Sequence, residues 1–460
     1  MNRRALALAL SVVASACAET QSIPPPFDGS ATDVGTPVDR GTPVDRGTPV
    51  DAGTPVDVGT PVDAGAPTDT SPAADVPGCT ETPTQGELTG TPWCDLALPA
   101  VAGVTVPEGF CVRRYGNVPT ARVLSFAPNG DLFVASPSTG TPGGAPPGMG
   151  AIMVVTDDNH DGLGDTPRAF LSGVEDVHGL LFRRNELLYT TQSTVMSLPY
   201  CNGDRAATVA RDRHTRVATL TGAVRWAHTL TESTDGRLLV SMGQYDISQC
   251  PAPEARAGSV LQIGQGMPEA GTTVVDGFRN PMYIRCKEWG ACYAAELTGD
   301  GWDSIGGREK LIEMRQGDRY GFPCCVDRAV PVPGTPAAGT CMDVAASVQT
   351  YPLHDTPFGF DWAPASWPAP YGNSFFVGLH GWVGSWTNAG VQWAPVDATT
   401  HRPTRPTEFF VRGFGRRAAG GNDQRVSDLV FARDGRMFFA DDQSGDIYWV
   451  APRTLRMPAR

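Results

Sequence analysis

Arg122-Val123-Leu124-Ser125-Phe126-Ala127-Pro128-Asn129-Gly130-Asp131-Leu132-Phe133-Val134-Ala135 reads as two short apolar strands joined through an Asn-Gly turn, the signature of a β-hairpin. The pattern recurs along the chain. It returns at His178 to Phe182 with Leu187 to Tyr189, and at Thr229-Leu230 with Asp235-Gly236-Arg237-Leu238-Leu239-Val240. A fourth copy folds Pro281 to Ile284 back on Ala291 to Ala295 through the turn Lys287-Glu288-Trp289-Gly290. A longer fifth runs from Phe358 to Leu379, and the sixth joins Val426 to Phe431 with Asp434-Gly435-Arg436 to Ala440. Hairpins recurring roughly every fifty residues indicate radial repetition. The expected fold is all-β: a six-bladed β-propeller, with a first strand at Pro107 to Val112, preceded by a disordered tether.

Before Cys79 the chain changes character. Gly-Thr-Pro-Val-Asp occurs five times at a period of six between Gly35 and Asp63, with a degenerate sixth copy at Gly65-Ala66-Pro67-Thr68-Asp69. Six residues are too few for a packed repeat, and Pro in each copy excludes helix and central strand. Regular Asp adds self-repulsion, so residues 18–78 are expected to be extended and solvated, spanning up to ~190 Å as polyproline II. Residues 1–17 have a basic start (Arg3, Arg4), an apolar run from Ala5 to Val13 and a small-residue end, the pattern of an export signal too short to span a membrane. Ala14-Ser15-Ala16-Cys17 resembles a bacterial lipobox, which makes Cys17 the expected acylation site and the outer membrane the expected anchor. Plain cleavage after Ala16 is the alternative. The propeller is expected to occupy residues 79–460.

The formal net charge is -13, and the tether holds much of it: nine Asp and Glu19 stand there against Arg40 and Arg46. No basic footprint for nucleic acid remains, and a monomer is expected. Of eleven cysteines, acylation of Cys17 leaves an even number for disulfides in an oxidising compartment. Cys286 and Cys292 flank one hairpin turn and are the expected local bridge. Adjacent Cys324 and Cys325 need separate partners, with Cys341 a candidate for one.

Gly277-Phe278-Arg279-Asn280-Pro281, followed by an acidic segment and Gly317-Asp318-Arg319-Tyr320-Gly321-Phe322-Pro323, resembles the soluble quinoprotein sugar dehydrogenases. These glucose and sorbosone dehydrogenase-like propellers use pyrroloquinoline quinone (PQQ), and the likeness spans roughly Pro107 to Pro452. It implies oxidation of a small sugar or related alcohol. It also implies that basic side chains hold the quinone carboxylates, because an anionic tricarboxylate needs charge-assisted donors. Arg279 and Arg425 match such positions, Ser427 replaces a second arginine of the glucose enzymes, and His380 falls where a lysine can sit. The family's proton-abstracting histidine aligns with Arg225. His228, three residues on, is the nearest imidazole and the candidate base. Asp300 and Asp303 lie where the resemblance places a calcium beside the cofactor. His178 and His354 match family positions at the starts of inner strands. Trp362, Trp367, Trp382, Trp386 and Trp393 suit either sugar stacking or blade packing.

Independently of the resemblance, Asp157-x-Asn159-x-Asp161-Gly162-x-x-Asp165 has the oxygen spacing of an EF-hand-type calcium loop. Arg168 stands where the closing bidentate Glu belongs, and a solvated acidic turn is the alternative. Two further functional readings remain open at this stage. One is a non-catalytic propeller that binds an extracellular carbohydrate or protein. The other, a metal-dependent lactone hydrolase, has only propeller architecture behind it.

Overall fold

The structure, a computed structural model, describes residues 79, 87–139, 147–220, 227–244, 250, 256–335, 341–382, 387–415 and 424–459. The signal with Cys17, the repeat tract, Arg225 and Trp386 lie outside the described residues.

Six four-stranded antiparallel sheets follow one another along the chain. Their innermost strands are Val123–Phe126 (blade 1), Leu180–Arg183 (blade 2), Leu230–Glu232 (blade 3), Asn280–Cys286 (blade 4), Pro357–Trp362 (blade 5) and Val426–Phe431 (blade 6). Each of these strands packs against the innermost strands of the two adjacent blades, and blade 6 returns to blade 1, so the ring closes. All six sequence hairpins are the inner two strands of a blade. The first strand of the domain, Phe110–Asn117, does not begin blade 1. It pairs with Asp446–Pro452 as the outer strand of blade 6 and joins the two ends of the propeller.

Four of the six hairpin turns are built alike. In blade 1 the Ala127 amide donates to Asp131 O and the Gly130 amide donates back to Ala127 O, both at 2.9 Å. Ser233–Arg237, Lys287–Ala291 and Ala432–Arg436 repeat that closure. Its fourth residue takes φ 94° at Gly130 and 86° at Gly435, the left-handed region in which glycine carries no Cβ penalty. Strands such as Leu132–Ser136 and Met437–Asp441 are buried on both faces, because every blade packs between two others. That is why they read as continuous apolar runs rather than strict alternation.

All ten cysteines of the propeller are paired. Cys286–Cys292 is the expected local bridge, Cys341 pairs with Cys325 of the two adjacent cysteines, and Cys79–Cys201, Cys94–Cys111 and Cys250–Cys324 complete the set.

Candidate active site

The segments leading into the innermost strands all open on one face, here called the mouth. An arginine stands immediately before the inner strand of three blades: Arg122 before Val123, Arg279 before Asn280 and Arg425 before Val426. In blades 2 and 3 a histidine stands two residues before it, His178 and His228. All five side chains are buried. The equivalence of these positions brings them into one ring around the channel.

Below them the channel is filled. Tyr283 of blade 4 reaches across to donate its hydroxyl to Arg122 O at 2.6 Å, with its ring 5.6 Å from His178 and 5.8 Å from Phe358. Phe358 in turn stacks on His380 at 4.3 Å and lies 4.8 Å beneath the Arg122 guanidinium. Aromatic and cationic faces of this kind attract one another, so the plug also orients the groups above it.

Two charge clusters sit on this floor. In the first, Asp442 is fully buried, accepts from Arg425 Nε at 2.6 Å, pairs with Arg122 and lies 3.4 Å from His380 Nε2. Burial alone would raise its carboxyl, but Arg122, Arg425 and His380 outweigh that and hold it well below the usual carboxylate range. Burial, then the Arg425 charge, lowers His380 to about 3, so it is a neutral imidazole. Burial and then Arg122 drive His178 well below its ordinary range, with the same result.

The second cluster surrounds Arg279. Its amide donates to Glu296 Oε1 at 2.8 Å, Nη1 to Thr298 O at 2.9 Å and Nη2 to Asp300 Oδ2 at 2.5 Å, while buried Nε has no partner among the described residues. Glu309 accepts the Thr298 amide at 2.8 Å and the His354 amide at 3.2 Å, tying the loop of blade 4 to the segment that opens blade 5. Burial raises both Glu296 and Glu309 to about 8, their amide donors lowering them less.

On the rim of this cluster His354 Nε2 is 3.2 Å from Asp303 Oδ2, and its ring meets Trp382 edge-on at 3.4 Å. Trp382 is 41% exposed. The His354 backbone has φ 74°, a strained conformation for a side-chain-bearing residue and one that clusters at functional sites. An imidazole oriented by a carboxylate beside an exposed aromatic face is an arrangement able to take a proton from a bound hydroxyl.

The structure thus brings Arg425 and His380 into one cluster and places Arg279 in another. His228 joins neither. It is fully buried, with Nδ1 2.8 Å from Ser241 O and Nε2 3.2 Å from Gln192 O, and burial lowers it. Both ring nitrogens face backbone carbonyls, so the geometry gives His228 a structural role where a base was expected. Ser427 likewise donates to Ala121 O at 2.6 Å and ties blade 6 to blade 1. Asp300 and Asp303 engage Arg279 and His354.

At the candidate calcium loop, the oxygens of Asp157, Asn159, Asp161 and Asp165 are engaged within the loop itself. Asp157 accepts the amides of Asp161 and Gly162 at 3.0 and 3.1 Å, Asn159 bonds Asp161, and Asp165 accepts from Thr156 Oγ1 and the Asp158 amide. Arg168, in place of a closing Glu, begins the outer strand of blade 1. Among the described residues no three His, Cys, Asp or Glu side chains are grouped to hold a metal.

Two residues of the site escaped sequence reasoning. Arg122 was detectable by aligning the hairpins on one another, which puts it level with Arg279 and Arg425. Asp442 follows the second strand of blade 6 and had no motif to mark it.

No family model matches the chain, and no curated protein matches it. Solved structures do match. The iodide structure of a Trichoderma reesei protein of Carbohydrate-Active Enzymes Family AA12 is 17% identical, covering 78% of this chain and 99% of its own, at TM-score 0.60. The holo form of the PQQ domain of pyranose dehydrogenase from Coprinopsis cinerea is 16% identical over 77% and 98%, at 0.61. The apo-form soluble aldose sugar dehydrogenase from Escherichia coli is 15% identical over 75% and 99%, at 0.53. At these identities the likeness is one of fold: this chain is a six-bladed β-propeller of the kind that the PQQ-dependent sugar dehydrogenases use.

Proposed function

We propose that the protein is a quinoprotein-type oxidoreductase that oxidises a sugar or related alcohol at the propeller mouth. The observation that carries this reading is the ring of buried arginines at equivalent blade positions, flanked by the His354–Asp303 pair and exposed Trp382. The donor set fits a planar, carboxylate-bearing cofactor such as PQQ: guanidiniums fork onto carboxylates, and the buried Arg279 Nε has no acceptor among the described residues. When bound, the quinone supplies the hydride acceptor. Arg279, Arg425 and Arg122 would hold its carboxylates, and neutral His380 would line the wall. His354, held by Asp303, takes the hydroxyl proton, and Trp382 offers its face to the sugar.

Export and acylation at Cys17 to the outer membrane remain part of the proposal, supported by the Arg3-Arg4 start, the apolar run and Ala14-Ser15-Ala16-Cys17. Calcium has no residue set in this proposal.

A tryptophan-fluorescence titration with PQQ tests it, followed by a panel of aldoses and alcohols with an artificial electron acceptor. Saturable quenching weakened by Arg279→Ala is expected. Absence of any PQQ binding overturns the reading. One observation favours a second reading, a non-catalytic carbohydrate-binding propeller: Asp442 and Asp300 already meet the arginines with the chain's own carboxylates. Sugar binding without PQQ binding or redox turnover would establish it.

A further inference from the structure

A cleft of about 410 Å³ opens on the face opposite the mouth. It lies between the hairpin turns of blades 1 and 6, at the far ends of the strands that begin after Arg122 and Arg425. Trp93, from the segment preceding the propeller, closes one side and the Asp157–Asp158 stretch another. The volume falls within the roughly 300–1,000 Å³ of small-molecule sites.

Its polar groups are arranged in matched pairs. Arg205 bridges Asp131 and Asp158, with Nε 2.9 Å from Asp131 Oδ2 and Nη2 2.6 Å from Asp158 Oδ1. Arg436 forks onto Asp434 at 2.9 and 2.8 Å and stacks 3.6 Å over the Trp93 ring. Two buried donors of this wall, Arg436 Nη1 and Trp93 Nε1, have no hydrogen-bond partner among the described residues. The polar groups a ligand can reach are those of Asp158 and Arg205, whose side chains are 51% and 32% exposed. Half-buried Phe126 and Pro128 add an apolar edge.

The charges decide the ligand class. Four aspartates and three arginines line the cleft, so neither a strongly anionic nor a strongly cationic molecule gains from the field. Carboxylate and guanidinium side by side, each exposed in part, suit vicinal hydroxyls that donate to one and accept from the other. An apolar edge suits the C–H face of a sugar ring.

We propose that this cleft is a second, non-catalytic binding site for a neutral saccharide, which docks the propeller on a glycan by the face opposite its mouth. The site is independent of PQQ chemistry. It also gives the acidic Asp157 loop a role as part of the cleft wall.

The test is calorimetric titration of the full chain, without PQQ, with neutral tetrasaccharides of β-glucan, xylan, mannan and chitin, alongside uronate and glucosamine oligomers. At least one neutral tetrasaccharide should bind. Asp158→Ala should weaken it about tenfold, the loss of one hydrogen bond to a charged group. Arg205→Lys, which keeps the charge and removes the fork, should weaken it similarly, and both variants should retain the PQQ titration and melting temperature of the parent. The proposal is overturned if no neutral tetrasaccharide binds or if the charged oligomers bind more tightly. It is equally overturned if Trp382→Ala abolishes binding while Asp158→Ala leaves it intact, which would put the saccharide at the mouth.

Discussion

Asp442 receives Arg425 Nε at 2.6 Å inside a fully buried pocket, and the same carboxylate meets Arg122 from the neighbouring blade. One acid therefore bridges two guanidiniums at the seam where the propeller ring closes. Removing one member of such a network strands the charges that remain. Asp442→Asn is expected to destabilise the fold by about 3–5 kcal/mol, measured by guanidinium denaturation. A loss under about 1 kcal/mol would show the pairing to be replaceable.

Arg279 spends Nη2 on Asp300, whose side chain is 64% exposed. An exposed carboxylate is a weak holder of a buried arginine and a competitor for any carboxylated ligand. Asp300→Ala is therefore expected to tighten PQQ binding by up to about tenfold, opposite in sign to Arg279→Ala. Fluorescence titration of both variants checks this. Weakened binding in Asp300→Ala would make Asp300 a ligand group rather than a competitor.

His354 and His228 should separate cleanly. His354→Asn is expected to lower kcat by about 10²–10⁴-fold with PQQ binding retained, the usual contribution of a general base. Asp303→Asn should lower kcat less, because it only orients the imidazole. His228→Asn should leave kcat per folded molecule near that of the parent and cost about 1–3 kcal/mol, since it removes the buried ring that donates to a backbone carbonyl. Steady-state kinetics on PQQ-loaded protein, paired with thermal melts, would expose the reverse pattern.

Stability should depend on pH with a maximum on the acid side of neutrality. Burial raises Glu296 and Glu309 to about 8 and Asp428 and Asp441 to about 7. In the neutral range the folded state thus holds protons that the unfolded chain has released. That contribution is full below the unfolded values and is lost as pH rises through about 7–8. Asp442 works the other way: its carboxyl is held low, so its contribution is lost as pH falls below about 4. The melting temperature is expected to peak near pH 5 and to decline by pH 8. Glu309→Gln should flatten the alkaline limb, and a melting temperature rising from pH 5 to 8 would contradict the assignment.

The propeller was legible because its information is local. Each Asn-Gly or Asp-Gly turn lies within a few residues of the strands it joins, and six repetitions reinforce one another. The Cys286–Cys292 bridge was local too, spanning one hairpin turn. The site was legible only in part. Arg279 and Arg425 carry motifs, whereas Arg122 becomes visible only when the blades are compared with one another.

The sequence by itself determined the repeat, its number and, once the blades are compared, the arginine or histidine that opens five of the six, since these depend on chain-local turns and strand periodicity. Tertiary structure decided the partnerships. Asp442 lies 320 residues from Arg122, and Asp303 lies 51 residues from His354. Which imidazole meets a carboxylate and which is sealed between carbonyls follows from how separate blades pack around one channel. The closure of blade 6 by Phe110–Asn117 is of the same kind. Such contacts form between segments remote in the chain, and no periodicity along the chain records them.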